Sequence, residues 1–90
     1  DRVRGLPVSR VLVANRGAIA CRIIRTLDRL GVESVAVFAD VDAASPHVAM
    51  ATTAVRLDAA SPGAAYRDID QLVAIATAEA VEVEIMTGVV

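Results

Sequence analysis

The hydrophobic pattern of this chain switches repeatedly between an unbroken run, a helical period and an alternation, and each switch marks an element. Val11, Leu12, Val13 and Ala14 form a continuous apolar run between Arg10 and Asn15, the pattern of a parallel strand covered on both faces. Beyond Asn15-Arg16-Gly17, the positions Ile19, Ala20, Ile23, Ile24, Leu27 and Leu30 recur at helical spacing until Gly31. A helix with a glycine stop is therefore predicted. Val32 to Phe38 reads as a second buried strand, which completes a β-α-β unit.

The second half carries weaker signals. Asp40, Asp42 and Ser45-Pro46 mark a loop, with Pro46 suited to the first turn of a short helix running to about Ala51. Thr53 to Leu57 is a short third strand, and Pro62-Gly63 anchors a loop over 59–65. Asp68 is a candidate N-cap, after which Ile69, Leu72, Val73, Ala76 and Ala80 are expected on one helical face. Val81, Val83 and Ile85 alternate with Glu82 and Glu84, as in a half-exposed strand whose glutamates face solvent at an edge. The predicted fold is α/β, a three-layer Rossmann-like domain with a parallel sheet of about four strands.

Ninety residues hold one small domain. Hydrophobic residues make up 56% of the chain but aromatics only 2%, so its core must be built from Ala, Val, Ile and Leu. Such a core buries less apolar area per residue than one rich in Leu and Phe, and modest stability is expected. The net charge of −2 and the dispersal of the arginines leave no electrostatic footprint for nucleic acid. All nine basic residues are Arg, which excludes a P-loop lysine, a Schiff-base lysine and a biotinyl-lysine within this segment. A single cysteine and the lack of a long apolar run suit a reducing compartment away from membranes, and the cytoplasm, or the matrix of an organelle if a transit peptide was removed, is expected.

The Asn15-Arg16-Gly17 turn joins the end of a strand to the start of a helix, where unpaired N–H groups and the helix dipole favour an anion. It has one glycine where the dinucleotide pattern needs three, so a structural turn and a phosphate or nucleotide contact both remain open. Arg22, Arg25 and Arg29 are expected on the helix face opposite Ile19, Ile23 and Leu27, either as a solvated face or as a protein contact. Cys21 is placed near that polar side, and His47 is read as a capping or packing residue. Asp40 and Asp42 look like turn devices. No metal site and no nucleophile-base pair can be assembled from these residues.

The stretch Arg10-Val-Leu-Val-Ala-Asn-Arg-Gly-Ala-Ile-Ala-Cys-Arg-Ile-Ile-Arg25 resembles the opening of the biotin carboxylase family, whose first strand runs into Ala-Asn-Arg-Gly-Glu-Ile-Ala. The similarity continues through Leu30-Gly31-Val32, Ser34-Val-Ala-Val-Phe38, Asp40, Asp42, Pro46-His47-Val48, Ala54-Val55-Arg56-Leu57, Tyr66 and Ile69-Asp70, as far as about Ala76. The resemblance implies the N-terminal domain of an ATP-grasp ligase that carboxylates carrier-bound biotin using ATP, magnesium and bicarbonate. Urea, acyl-CoA and pyruvate carboxylases are all open as parents. By the same resemblance, Asn15, Arg16 and Gly17 match the family's opening loop and are the cofactor-binding candidates. Arg22 and Arg25 match positions of dimer contacts. The implied partners are the ATP-grasp domain, the biotin carboxyl carrier domain and a second copy.

Four departures accompany the resemblance. Ala18 stands for the family's Glu, Thr52-Thr53 for Asp-Glu, and Ala80 for a helix-ending glycine. Glu84-Ile-Met-Thr-Gly-Val-Val90 replaces the strand and His-Pro-Gly-Tyr-Gly loop that border the biotin region. Residues 1–90 are accordingly expected to be one truncated domain, without ATP-grasp and C-terminal domains and inactive by itself. The rival expectations are a non-catalytic Rossmann-like interaction domain that has lost its active-site loop, and a free-standing nucleotide binder.

Overall fold

The computed structural model describes residues 8–58 and 68–85. Strand β1 (Arg10–Val13) is followed by helix α1 (Gly17–Arg29) and strand β2 (Glu33–Phe38). A 3₁₀ turn (Asp40–Asp42) then leads to helix α2 (Pro46–Met50), strand β3 (Thr53–Arg56), helix α3 (Ile69–Ala78) and strand β4 (Val83–Ile85). The loop expected over 59–65, Tyr66 and the tail beyond Ile85 lie outside the described residues.

All pairings are parallel and the sheet order is β3-β2-β1-β4. The unbroken apolar run of β1 is explained by burial on both sides. Val11 and Val13 join Ala20, Ile24, Leu27, Val32 and Ala36 in one core, while Leu12 and Ala14 join Val35, Val37, Ala39, Leu57 and Leu72 in the other. The first core lies under α1 and the second under α3, giving the expected three layers. Ala20 and Ala36 are completely buried, and their small side chains let α1 approach the sheet closely. The larger fully buried residues, including Leu12, Ile24, Leu57 and Leu72, each contribute about 1.5–3 kcal/mol of hydrophobic stabilisation.

Helical faces differ in part from those the periodicity suggests. On α1 the buried positions are Ala20, Cys21, Ile24 and Leu27, whereas Ile19 is 54% exposed. Cys21 therefore faces the protein rather than the polar side. On α3 the buried residues are Leu72 and Ala76, with Ile75 packed beside them, and Ile69 and Val73 point outward at about half exposure. The helix is short and rich in apolar residues on several sides, so periodicity alone does not fix its rotation about its own axis. Asp68 does cap α3, accepting a hydrogen bond from the Gln71 N–H at 3.1 Å.

Both longer helices end in the same hydrogen-bonded motif. After α1, the Val32 N–H donates to the Leu27 carbonyl and the Gly31 N–H to that of Asp28. After α3, the Val81 N–H donates to the Ala76 carbonyl and the Ala80 N–H to that of Thr77. These are Schellman closures, in which the residue just past the cap adopts the left-handed conformation.

The amino-terminal ends of the strands are fastened by two side chains. Arg10 lies opposite Glu33 in the β1–β2 register. Its Nη1 donates to Glu33 at 2.7 Å, and its Nη2 donates to Thr53 Oγ1 at 3.2 Å and Glu79 at 3.0 Å. Glu82, expected merely to face solvent, instead has one carboxylate oxygen that accepts from the Ser9 N–H, the Ser9 hydroxyl and the Arg10 N–H. The Ser9 N–H bond leads the interactions that hold its carboxyl below the ordinary glutamate range. Ahead of β3, Thr52 and Ser34 exchange bonds: each hydroxyl oxygen accepts from the other's backbone N–H, at 3.1 and 3.2 Å. The threonines that replace the family's Asp-Glu thus have structural partners of their own.

Candidate functional site

The carboxyl ends of the strands gather the turn Asn15-Arg16-Gly17, the Asp40–Asp42 turn and Asp58. Since β1 lies between β2 and β4, its neighbours are reached by helices on opposite faces of the sheet. Such a reversal is a topological switch point, beyond whose strand ends ligands usually lie in open α/β sheets. The β1–α1 turn adjoins it.

Local geometry in this turn suits an anion. Ala14 and Asn15 are buried and Arg16 is extended, with φ −123° and ψ 162°. Gly17 enters the helix at φ +61°, a left-handed conformation that L side chains rarely adopt. Among the described residues, and apart from its chain neighbours and its own helix backbone, nothing lies within 4 Å of where its Cβ would be, so the glycine is required by backbone conformation. The Arg16 side chain makes no cap bond to α1, and the first turn of the helix holds no acidic residue. The Ala18 departure removes a carboxylate that would compete with a bound anion there.

Arg16 does not stand alone over this turn. Its Nε and Nη2 donate to the two carboxylate oxygens of Asp42 at 2.8 and 3.1 Å, and the Asp42 side chain is only 14% exposed. On the neighbouring strand, Arg56 donates to both oxygens of Asp40 and, at 2.6 Å, to Asp58. The Arg56 hydrogen bond holds the Asp40 carboxyl below its usual range, and the two carboxylates raise the Arg56 guanidinium. Asp40 and Asp42, expected to act as turn devices that accept local backbone bonds, lie in a 3₁₀ turn, and their carboxylates accept from arginines of other elements. Arg56 was missed in the sequence; the available signal was acidic residues at the ends of consecutive strands with an arginine between them. Gln71 completes this end by exchanging two hydrogen bonds with the Asp58 backbone.

The second candidate set lies on α1. Ile19, Arg22, Ile23, Thr26 and Leu27 line a groove of about 380 Å³. Arg22 therefore shares a surface with Ile19 and Ile23 instead of opposing them, because the helix is rotated to bury Ala20 and Cys21. Arg25 is exposed and folds back along its own helix, with Nε 3.4 Å from the Cys21 carbonyl oxygen. His47 is fully buried, in keeping with a packing role, and neither ring nitrogen has a hydrogen-bond partner among the described residues. Among the described residues, no three His, Cys, Asp or Glu side chains converge to hold a metal ion, and no helix is long and apolar enough to cross a membrane.

The sequence profile of the biotin carboxylase N-terminal domain matches residues 7–89. This chain belongs to that family. The match runs through the tail that departs from the family's loop. The human mitochondrial propionyl-CoA carboxylase alpha chain is 48% identical over 63 residues, which is 70% of this chain and 9% of that protein. Kluyveromyces lactis urea carboxylase superposes with a TM-score of 0.82 at 41% identity, over 87% of this chain and 7% of its own. The biotin carboxylase domain dimer of Hydrogenobacter thermophilus 2-oxoglutarate carboxylase, in complex with MgADP, ADP and bicarbonate, gives a TM-score of 0.82 at 34% identity. That similarity covers 90% of this chain and 18% of the other. This biotin carboxylase N-terminal domain thus spans a small part of the proteins it resembles.

Proposed function

We propose that this domain is the Rossmann-like platform of a biotin carboxylase that uses ATP and bicarbonate, with magnesium, to carboxylate biotin on a carrier domain. The observation that carries this reading is the match of residues 7–89 to the biotin carboxylase N-terminal domain, on a sheet whose β1–α1 glycine turn lies at the topological switch point. Asn15, Arg16 and Gly17 would hold an anionic part of the bound reactants through backbone N–H groups and the guanidinium. ATP, when bound, supplies the phosphoryl group that activates bicarbonate. The role of this chain's own residues is to orient an anion at the topological switch point.

The working protein requires an ATP-grasp domain, because the described residues offer one glycine turn and no metal-ligating cluster. The 90-residue chain alone is inactive on this reading. The groove beside Arg22, with Arg25 on the next turn, would serve as a contact surface for a second copy, in line with the dimer named for the 2-oxoglutarate carboxylase domain. The proposed location is the cytoplasm, with the mitochondrial location named for the acyl-CoA carboxylase relatives as the alternative.

The test is calorimetric titration of Mg-ATP into the 90-residue chain and into a version extended through an ATP-grasp domain. Binding by the extended protein alone is expected. Micromolar binding by the short chain would overturn the platform reading in favour of a free-standing nucleotide binder.

A further inference from the structure

Helices α1 and α3 cover opposite faces of the sheet, and each leaves an apolar pair uncovered next to unpaired charge. On α1, Ile19 is more than half exposed, Ile23 follows one turn on, and the exposed Arg22 stands between them along the groove. Arg25 and Arg29 are exposed on the next turns. Among the described residues none of these three arginines has an ion-pair partner. On α3, Ile69 and Val73 are likewise one turn apart and about half exposed. Asp70 is exposed beside them, without an ion-pair partner among the described residues, and the helix contains no basic residue.

The two faces match in pattern and oppose in charge. Apolar side chains four positions apart form a ridge on each helix, the kind of row that packs into the groove of another helix. A contact of α1 with α1 would set the arginines of two copies against each other, which like-charge repulsion disfavours. A contact of α1 with α3 removes Ile19, Ile69 and Val73 from water and gives Arg22 a carboxylate to pair with.

We propose that a second copy of this chain meets the α1 groove with the outer face of its α3, Asp70 pairing with Arg22 across the contact. This rests on the reading of the groove as a contact surface for a second copy, and it names what that copy presents. Because the two faces lie on opposite sides of the sheet, the contact is head-to-tail, and each assembly keeps a free α1 face at one end and a free α3 face at the other. One helix on one helix is a small interface, so association is weak and sensitive to salt.

The experiment follows the mass of the 90-residue chain by sedimentation from about 10 μM to about 1 mM, at about 0.05 and 0.5 M salt. The expected result is a mass that rises with concentration past that of a dimer, and rises less at high salt. Arg22→Glu and Asp70→Arg should each raise the concentration needed by about fivefold or more. The double variant, in which the two charges are exchanged, should regain association, and so should an equal mixture of the two single variants. Circular dichroism checks that each variant is folded, with Arg22→Gln and Asp70→Asn as milder replacements.

Asp70→Arg associating like the parent while Arg22→Glu is altered would overturn α3 as the partner and leave the groove as a second-copy contact. A parent chain that stays monomeric throughout would overturn that reading too. Loss in both single variants without recovery in the double variant would mean that the two residues do not face each other, and the proposal would fall.

Discussion

Gly31 and Ala80 occupy the same position of the same helix-ending motif, with φ of +73° and +57°. Each donates its N–H back into the last turn, and the next residue closes the longer bond. Only Gly31 adopts this conformation without a steric penalty from a Cβ against its own backbone. Ala80 is the family departure noted at the helix end, and the structure shows what it costs: the left-handed closure is retained and the alanine is strained.

Replacing Ala80 with glycine should therefore stabilise the domain by about 1 kcal/mol, a rise in melting temperature of about 4–8 °C for a domain of this size. Gly31→Ala should move it the other way by a similar amount. Thermal unfolding followed by circular dichroism measures both. A lower melting temperature for Ala80→Gly would mean that α3 does not end in the left-handed closure.

Glu82 links the start of β4 to the start of β1 through three donors on Ser9 and Arg10. Because its folded carboxyl is held below the ordinary range, the native state binds the proton less readily than the unfolded chain does. Its contribution is fully present above the ordinary glutamate pKa of about 4.3 and is lost as pH falls through the lower folded value. Glu82→Gln should melt earlier than the parent at pH 7, and the gap should close as the pH drops below about 4. A gap independent of pH would place the effect in packing rather than in the carboxylate.

His47 is fully buried, and among the described residues neither ring nitrogen has a partner. A polar group buried without a hydrogen bond costs free energy that an apolar side chain of similar volume does not. His47→Leu should raise stability by about 1 kcal/mol in denaturant unfolding. A loss of 2 kcal/mol or more would show that the shape of the imidazole outweighs its desolvation.

What the sequence determined by itself was the order of elements, the β1 and β2 strands, the two-faced burial of β1, the Asp68 cap and the glycine stop after α1. These are local properties: an apolar run, a period, a cap or a glycine is set by neighbours a few residues away. The family likeness of the Arg10–Arg25 stretch was equally visible, because it lies in contiguous residues.

Tertiary structure decided the rest. Which side of α1 meets the sheet depends on how closely Ala20 and Ala36 let the two layers approach, and that rotation buried Cys21 and exposed Ile19. Asp42 finds Arg16 only because β1 and β2 lie side by side with their carboxyl ends level, bringing together residues 26 positions apart. Glu82 reaches Ser9 across 73 positions because β4 pairs with β1, which brings their amino-terminal ends together. Pattern in a sequence reports the environment of a face, whereas an ion pair between two turns is a property of how the strands are ordered.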